Sequence, residues 1–180
     1  MGSMTKLVNL YGGPGTGKST TAAGVFMLLK QRGYNAELVT EFAKDVAWEH
    51  QGQPVPDVMK AQELVFAQQH WRIRRLINKV DYIVTDSPLL MNLMYVPEDF
   101  ELPALRDMIK QAHRMYTNRE DIFLMRTKDY NPAGRWQTED EARALDLRIK
   151  SLLNETGLGS WNVRADIHAP SFIVEVILGK

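Results

Sequence analysis

The sequence predicts an α/β fold of three layers, a parallel five-stranded sheet covered by helices on both faces. Three observations predict it. Short apolar runs that suit buried strands alternate with longer helix-forming stretches along the 180 residues, and that alternation is the pattern of a parallel sheet with crossover helices. The first strand-like run and the first helix-like run are joined by a glycine-rich loop, Gly12-Gly13-Pro14-Gly15-Thr16-Gly17-Lys18-Ser19, a turn built for close backbone approach to a ligand. Polar residues follow the strand-like runs directly, at the carboxyl ends where open parallel sheets place their ligands.

The elements follow in order. Lys6-Leu7-Val8-Asn9-Leu10-Tyr11 is mostly apolar and reads as a strand buried on both faces. Residues 18–32 have helical composition and stop at Gly33, a natural C-terminal residue. Ala36 to Thr40 is a second strand. Gly52-Gln53-Pro54-Val55-Pro56 breaks the chain, and residues 57–79 form a long helical stretch. Tyr82-Ile83-Val84-Thr85 is a third strand, residues 103–117 are helical, and Ile122-Phe123-Leu124-Met125 is a fourth strand. Thr138-Glu139-Asp140-Glu141 is a capping box that opens a helix running to about Asn154. Trp161 to Ile167 alternates weakly as a fifth strand, and Pro170 opens a last short helix.

Composition bounds the class. Hydrophobic residues make up 44% and charged residues 24%, enough for one domain with its own core. That domain is expected to span residues 4–180, with Met1-Gly2-Ser3 read as a cloning scar rather than a myristoylation signal. Twenty-two basic residues balance 22 acidic ones, so no global field draws the chain to nucleic acid or membrane, and nucleic-acid contact requires a local patch. There is no cysteine, which fits a reducing compartment. No apolar run approaches the ~20 residues of a membrane span and no signal peptide is visible. A cytoplasmic location, bacterial or in a phage-infected host, is therefore expected.

The loop is a full match to G-x-x-x-x-G-K-[ST]. Its glycines let consecutive N–H groups turn inward around phosphate oxygens, and the following helix aims its positive end at the same anion. Gly13, Pro14, Gly15, Thr16, Gly17, Lys18, Ser19 and Thr20 are thus expected to hold ATP. Lys18 would carry charge to the β- and γ-phosphates and Ser19 would ligate Mg²⁺.

Three strand ends supply further chemistry. Asp86, closing the third strand before Ser87-Pro88, suits a Walker B carboxylate on Mg²⁺, or a helix N-cap. Glu41, closing the second strand, suits a base that takes a hydroxyl proton, or an acid favoured by a helix start. Lys44, one turn on, can hold a substrate phosphate. Arg126 precedes, and Arg135 lies within, a Pro- and Gly-containing segment, about 127–137, that reads as a lid whose arginines neutralise a transferring phosphoryl group, or as a solvated turn. Gln62, Phe66 and Gln69 share one helix face, so Phe66 can stack on a base with an amide at its edge, or the set is a core aromatic with surface amides. Arg72, Arg74, Arg75 and Lys79, then Arg106, Lys110, His113, Arg114 and Arg119, make two basic segments that suit a polynucleotide backbone or ordinary solvated faces.

With these motifs in hand, the chain resembles the P-loop kinases of the nucleoside and nucleotide kinase group from Lys6 to its last helix. Glu41-Phe42-Ala43-Lys44, Asp86-Ser87-Pro88 and Gly134-Arg135 are similar to ribosylnicotinamide kinase and to phage thymidylate-kinase-like proteins, among them the 5-hydroxymethyluracil DNA kinase group. The resemblance implies a kinase-type P-loop NTPase fold with strand order 2-3-1-4-5. It also implies an ATP- and Mg²⁺-dependent transfer of the γ-phosphate to a hydroxyl. The acceptor it favours is nucleic-acid-related, most specifically 5-hydroxymethyluracil in DNA. A small-molecule nucleoside, nucleotide or ribosylnicotinamide kinase is the alternative, and a slow ATP-hydrolysing regulatory switch is the alternative from another class. The chain departs from the group in having Ser87 rather than Arg after Asp86 and no recognisable thymidylate acceptor signature, which counts against a free nucleoside or thymidylate. Sharing one Mg²⁺ between the loop and Asp86 requires the first and third strands to be neighbours.

Overall fold

The structure is a computed structural model that describes residues 4–50, 60–96, 103–127, 138–157 and 159–179. Its elements, in chain order, are β1 (Lys6–Tyr11), α1 (Lys18–Gln31), β2 (Ala36–Val39), α2 (Phe42–Glu49) and α3 (Gln62–Arg74). They continue with β3 (Tyr82–Thr85), a 3-10 helix (Leu89–Met94), α4 (Pro103–Met115), β4 (Arg119–Met125), α5 (Glu139–Glu155), β5 (Trp161–Arg164) and α6 (Ala169–Leu178). The five strands form one parallel sheet in the order β2-β3-β1-β4-β5. The fold is therefore the three-layer P-loop NTPase architecture, with β1 at the centre and β3 beside it.

Period-two alternation along β1 builds the two cores. Leu7 and Tyr11 enter the core formed with α3, the 3-10 helix, α4 and α5, through Phe66, Ile73, Leu90, Ile109 and Ile149. Val8 and Leu10 enter the opposite core, which α1 and α6 close with Val25, Leu29, Ile173 and Val174. Residues of β1 are almost wholly buried on both faces, which is why that run is apolar without strict alternation. The α1 and α6 helices pack closely enough that a Cβ on Gly24 would meet Pro170 Cγ at 2.7 Å.

The sheet register positions the site. Val39 of β2 pairs with Thr85 of β3, and Thr85 pairs with Asn9 of β1. Glu41, Asp86 and Gly12 therefore leave neighbouring strands at the same edge. Tyr11 pairs with Phe123, so Arg126, just past β4, reaches that edge from the other side of β1.

Several boundaries differ from expectation. β4 begins at Arg119, three residues before the apolar run. Its polar start is internally matched: Asp121 accepts from Asn9 Nδ2 at 2.8 Å, Tyr11 hydroxyl at 3.1 Å and Arg119 Nε at 3.0 Å. β5 ends at Arg164 rather than Ile167, and the long helical stretch resolves as α3 with 57–59 outside the described residues. The α2 helix and the 3-10 helix are elements that the strand-and-helix alternation did not mark. The capping box at α5 is formed, with Glu141 N donating to Thr138 Oγ1 and Thr138 N donating to Glu141 Oε2. Among the described residues no helix is long and apolar enough to cross a membrane.

Candidate active site

The glycine-rich loop folds as a tight turn between β1 and α1. Gly12, Gly15 and Gly17 hold φ of 149°, 77° and 97°, values that side chains rarely tolerate. Thr16, buried, ties the loop to itself by donating its hydroxyl to the Gly13 carbonyl at 2.9 Å. Gly17 sits at the N-cap of α1 without a side-chain cap, so the first N–H groups of the helix stay available to an anion. Lys18 donates to the carbonyls of Gly12 at 2.7 Å and Gly13 at 3.1 Å. Burial lowers its pKa, while the carboxylates of Glu41, Asp86 and Asp146 act in the opposite sense. A half-buried ammonium beside a turn of N–H groups is a phosphate-binding arrangement.

Ser19 and Asp86 meet across 67 residues of sequence, with the hydroxyl donating to Asp86 Oδ2 at 2.5 Å. Asp86 is 4% exposed, and its Oδ1 has no hydrogen-bond partner among the described residues. That orphaned oxygen beside a serine hydroxyl fits a divalent cation. No group of three or more His, Cys, Asp or Glu gathers among the described residues. The donor set is thus one hydroxyl and one carboxylate, the sparse protein ligation that Mg²⁺ accepts when phosphate oxygens and water complete its shell. The 3-10 helix after Asp86 has its N-cap at Pro88, so Asp86 does not cap it.

Glu41 occupies the N-cap position of α2 but makes no capping bond. Burial raises its pKa, Asp86 and Asp45 reinforce the rise, and Lys18 and Lys44 oppose it. Those interactions put Lys18, Asp86 and the exposed Lys44 within electrostatic reach of one carboxylate.

On the far side of β1, Arg126 donates through Nε at 3.1 Å and Nη2 at 3.0 Å to Asp146 Oδ2, and through Nη2 to the Pro14 carbonyl at 2.9 Å. The other oxygen of Asp146 accepts the Gly13 N–H at 2.5 Å. Asp146 was not marked by the sequence motifs. A signal for it exists, because Ala142, Ile149 and Leu153 are the buried stripe of α5 and Asp146 stands on the same stripe as its lone charge. Tyr95, at the end of the 3-10 helix, belongs to no sequence motif. Its phenol is pushed up to about 12, first by desolvation and then by Glu41, with Arg148 opposing.

The expected acceptor contacts need correction. Phe66 is 2% exposed and belongs to the core, its ring packed 5.5 Å from that of His70, so it presents no face to a base. Gln69 is 1% exposed and accepts the Phe42 N–H at 3.0 Å. It pins the exit of β2 rather than a ligand. Gln62 is also buried. Arg72 pairs with Asp45 at 2.7 Å and lies over the Phe42 ring. His113 is 3% exposed, and Arg119 is committed to Asp121 and the Tyr116 carbonyl. The first basic segment spans the sheet: Arg72 reaches the Thr40 carbonyl at the loop edge, whereas Arg74 acts on His70 and Tyr116, and the turn holding Lys79 meets Thr5 and Asn35 at the opposite edge, where α4 leads into the start of β4. Arg135 and the lid segment beyond Thr127 lie outside the described residues.

A family model described as an AAA domain matches residues 7–169. Among solved structures that match is one titled "Crystal structure of APE1195", 19% identical, with 98% of this chain and 96% of that chain covered at a TM-score of 0.48. No curated protein matches the sequence.

Proposed function

Because the chain belongs to the AAA domain family, a P-loop NTPase type with which ATP and Mg²⁺ are consistent, we propose that it is a phosphotransferase. It moves the γ-phosphate of ATP to a hydroxyl. One observation supports this reading above the others. Glu41 is a half-buried carboxylate that caps nothing and lies within electrostatic reach of Lys18 and Asp86, which suits a hydroxyl-activating base.

In this reading residues 13–20 cradle the triphosphate. Lys18 and Arg126 stabilise charge on the transferring group, and Arg135 is assigned the same task from the lid. Ser19 and Asp86 would hold Mg²⁺, which supplies charge neutralisation on the phosphates. The acceptor oxygen bonds to the γ-phosphorus, the bond from that phosphorus to the β–γ bridging oxygen breaks, the hydroxyl proton passes to Glu41, and ADP leaves. Lys44 is placed to meet a phosphate on the acceptor.

The acceptor we propose is nucleic-acid-related, most specifically 5-hydroxymethyluracil in DNA. The resemblance of Glu41-Phe42-Ala43-Lys44 and Asp86-Ser87-Pro88 to that kinase group supports it, as do the exposed Arg74 and Arg75 as a local basic patch. The test incubates the protein with γ-labelled ATP and DNA with or without hydroxymethyl pyrimidines, nucleosides, mononucleotides or ribosylnicotinamide. Label on modified DNA alone is expected. Label on a free nucleoside returns the protein to small-molecule kinases, and release of phosphate with no labelled acceptor returns it to an ATP-hydrolysing switch. Lys18→Ala is expected to abolish turnover in every arm.

A further inference from the structure

Asp146 is the only residue of α5 whose side chain reaches the glycine-rich loop by a hydrogen bond among the described residues. Its carboxylate is divided between two partners. Oδ1 takes the Gly13 N–H, and Oδ2 takes two nitrogens of the Arg126 guanidinium, which is itself 6% exposed. The helix is pressed against the loop at this point, since a Cβ on Gly13 would meet the Ala142 carbonyl at 2.6 Å and Asp146 Oδ1 at 2.7 Å. The capping box four residues before Ala142 sets where α5 begins, and so sets the phase that turns Ala142 and Asp146 to the loop.

From this geometry we propose that Asp146 is a positioning residue for Arg126. It holds the guanidinium at the phosphate loop, beside the Pro14 carbonyl, in the orientation that charge stabilisation on a transferring phosphoryl group requires. Arginine side chains have many rotamers, and fixing one by two charge-assisted bonds removes the ordering that would otherwise fall on the transition state. The same carboxylate ties Arg126, which precedes the 127–137 segment, to α5, which follows it. The inference rests on the kinase reading only for the reaction that Arg126 serves.

The test is a double-mutant cycle in the phosphotransfer assay. Asp146→Asn is expected to lower kcat by ~10-fold or more while the KM for ATP stays within ~3-fold, the signature of an interaction realised in the transition state. In an Arg126→Ala background the same substitution is expected to change kcat by less than ~2-fold, because a residue that acts through another has nothing left to act on. Multiplying effects would overturn the proposal and leave Asp146 a loop anchor. A fall in KM for ATP would overturn it too, making Asp146 a competitor of phosphate. If the wild type labels no acceptor, the kinase reading fails and the Asp146 inference is read separately. Modification of Arg126 by phenylglyoxal, followed by peptide mass, is then expected to run at least ~5-fold faster in Asp146→Asn than in wild type, since a held guanidinium reacts slowly. Equal rates would overturn it.

Discussion

Gly13→Ala tests the contact on which the site's far wall depends. Gly13 is not among the residues at positive φ, so alanine can adopt its backbone and the obstacle is steric. The new Cβ would stand 2.6 Å from the Ala142 carbonyl oxygen, a backbone atom of α5 that no rotamer change can move. Ordinary contact begins at 3.4 Å, so the loop and helix must part by 3.4 − 2.6 = 0.8 Å. That shift stretches the 2.5 Å bond from Gly13 N to Asp146 Oδ1 to about 3.3 Å and weakens it. Overpacking of this kind costs about 1–3 kcal/mol, and a hydrogen bond to a charged group contributes about 1.5–3 kcal/mol. A loss of roughly 2–5 kcal/mol lowers Tm by roughly 4–20 °C in a domain of this size. The assay is thermal unfolding by circular dichroism, with nucleotide binding measured alongside. Gly24→Ala is the control, since its Cβ would meet Pro170 Cγ at 2.7 Å in the α1–α6 contact. There a gain of about 1 kcal/mol in helix propensity offsets part of the clash, and nucleotide affinity should not change. If Gly13→Ala unfolds within ~1 °C of wild type and binds nucleotide equally well, the reasoning is wrong.

Other outcomes follow from the same geometry. Glu41→Gln should keep ATP binding and lose transfer by ~10²-fold or more, and full transfer would move the base to Asp86. Because burial raises the Glu41 pKa, transfer should fall on acidification while the pH is still above the ordinary carboxylate value. The stability that the protonated form confers is present below that ordinary value and lost as pH rises through the raised one, so chemical denaturation should show Glu41→Gln more stable than wild type at neutral pH. Asp86→Asn removes the charged partner of Ser19 and should raise the Mg²⁺ concentration that supports half-maximal turnover by ~10-fold, an effect absent from a merely destabilised fold. If DNA is the acceptor, binding should weaken steeply with salt, and Arg75→Glu or Arg114→Glu should raise the KM for DNA while leaving the KM for ATP nearly unchanged. Activity on a free nucleoside equal to that on DNA, with no salt dependence, would contradict the DNA reading.

Much of the fold and part of the site are legible in the residues, for local reasons. The loop is legible because glycines at Gly12, Gly15 and Gly17 answer a backbone requirement met within eight residues. The start of α5 is legible because a capping box closes on itself over four residues. Adjacency of β1 and β3 was inferable because Ser19 and Asp86 make chemical sense only together, and the sheet order bears that out. The start of β4 is not legible because its charged residues look solvated in the sequence, whereas Asn9, Tyr11 and His113 surround Asp121 in the fold.

The sequence by itself determined the alternation of strands and helices, the phosphate loop and the strand ends from which Glu41, Asp86 and Arg126 emerge, since each follows from periodicity or from chemistry between near neighbours, while the strand order followed from the resemblance to P-loop kinases. Tertiary structure alone decided the rest. Periodicity put Gln62, Phe66 and Gln69 on one face of α3, but only packing against the sheet turned that face into the core and took it from a ligand. The pairing of Asp146 with Gly13, 133 residues apart, and with Arg126 carries no local signature beyond a charge on an apolar stripe. A hydrogen bond across that separation exists only after the sheet has brought β1, β4 and α5 together, because the entropy of closing so long a chain is met by the whole core and by no contact of its own.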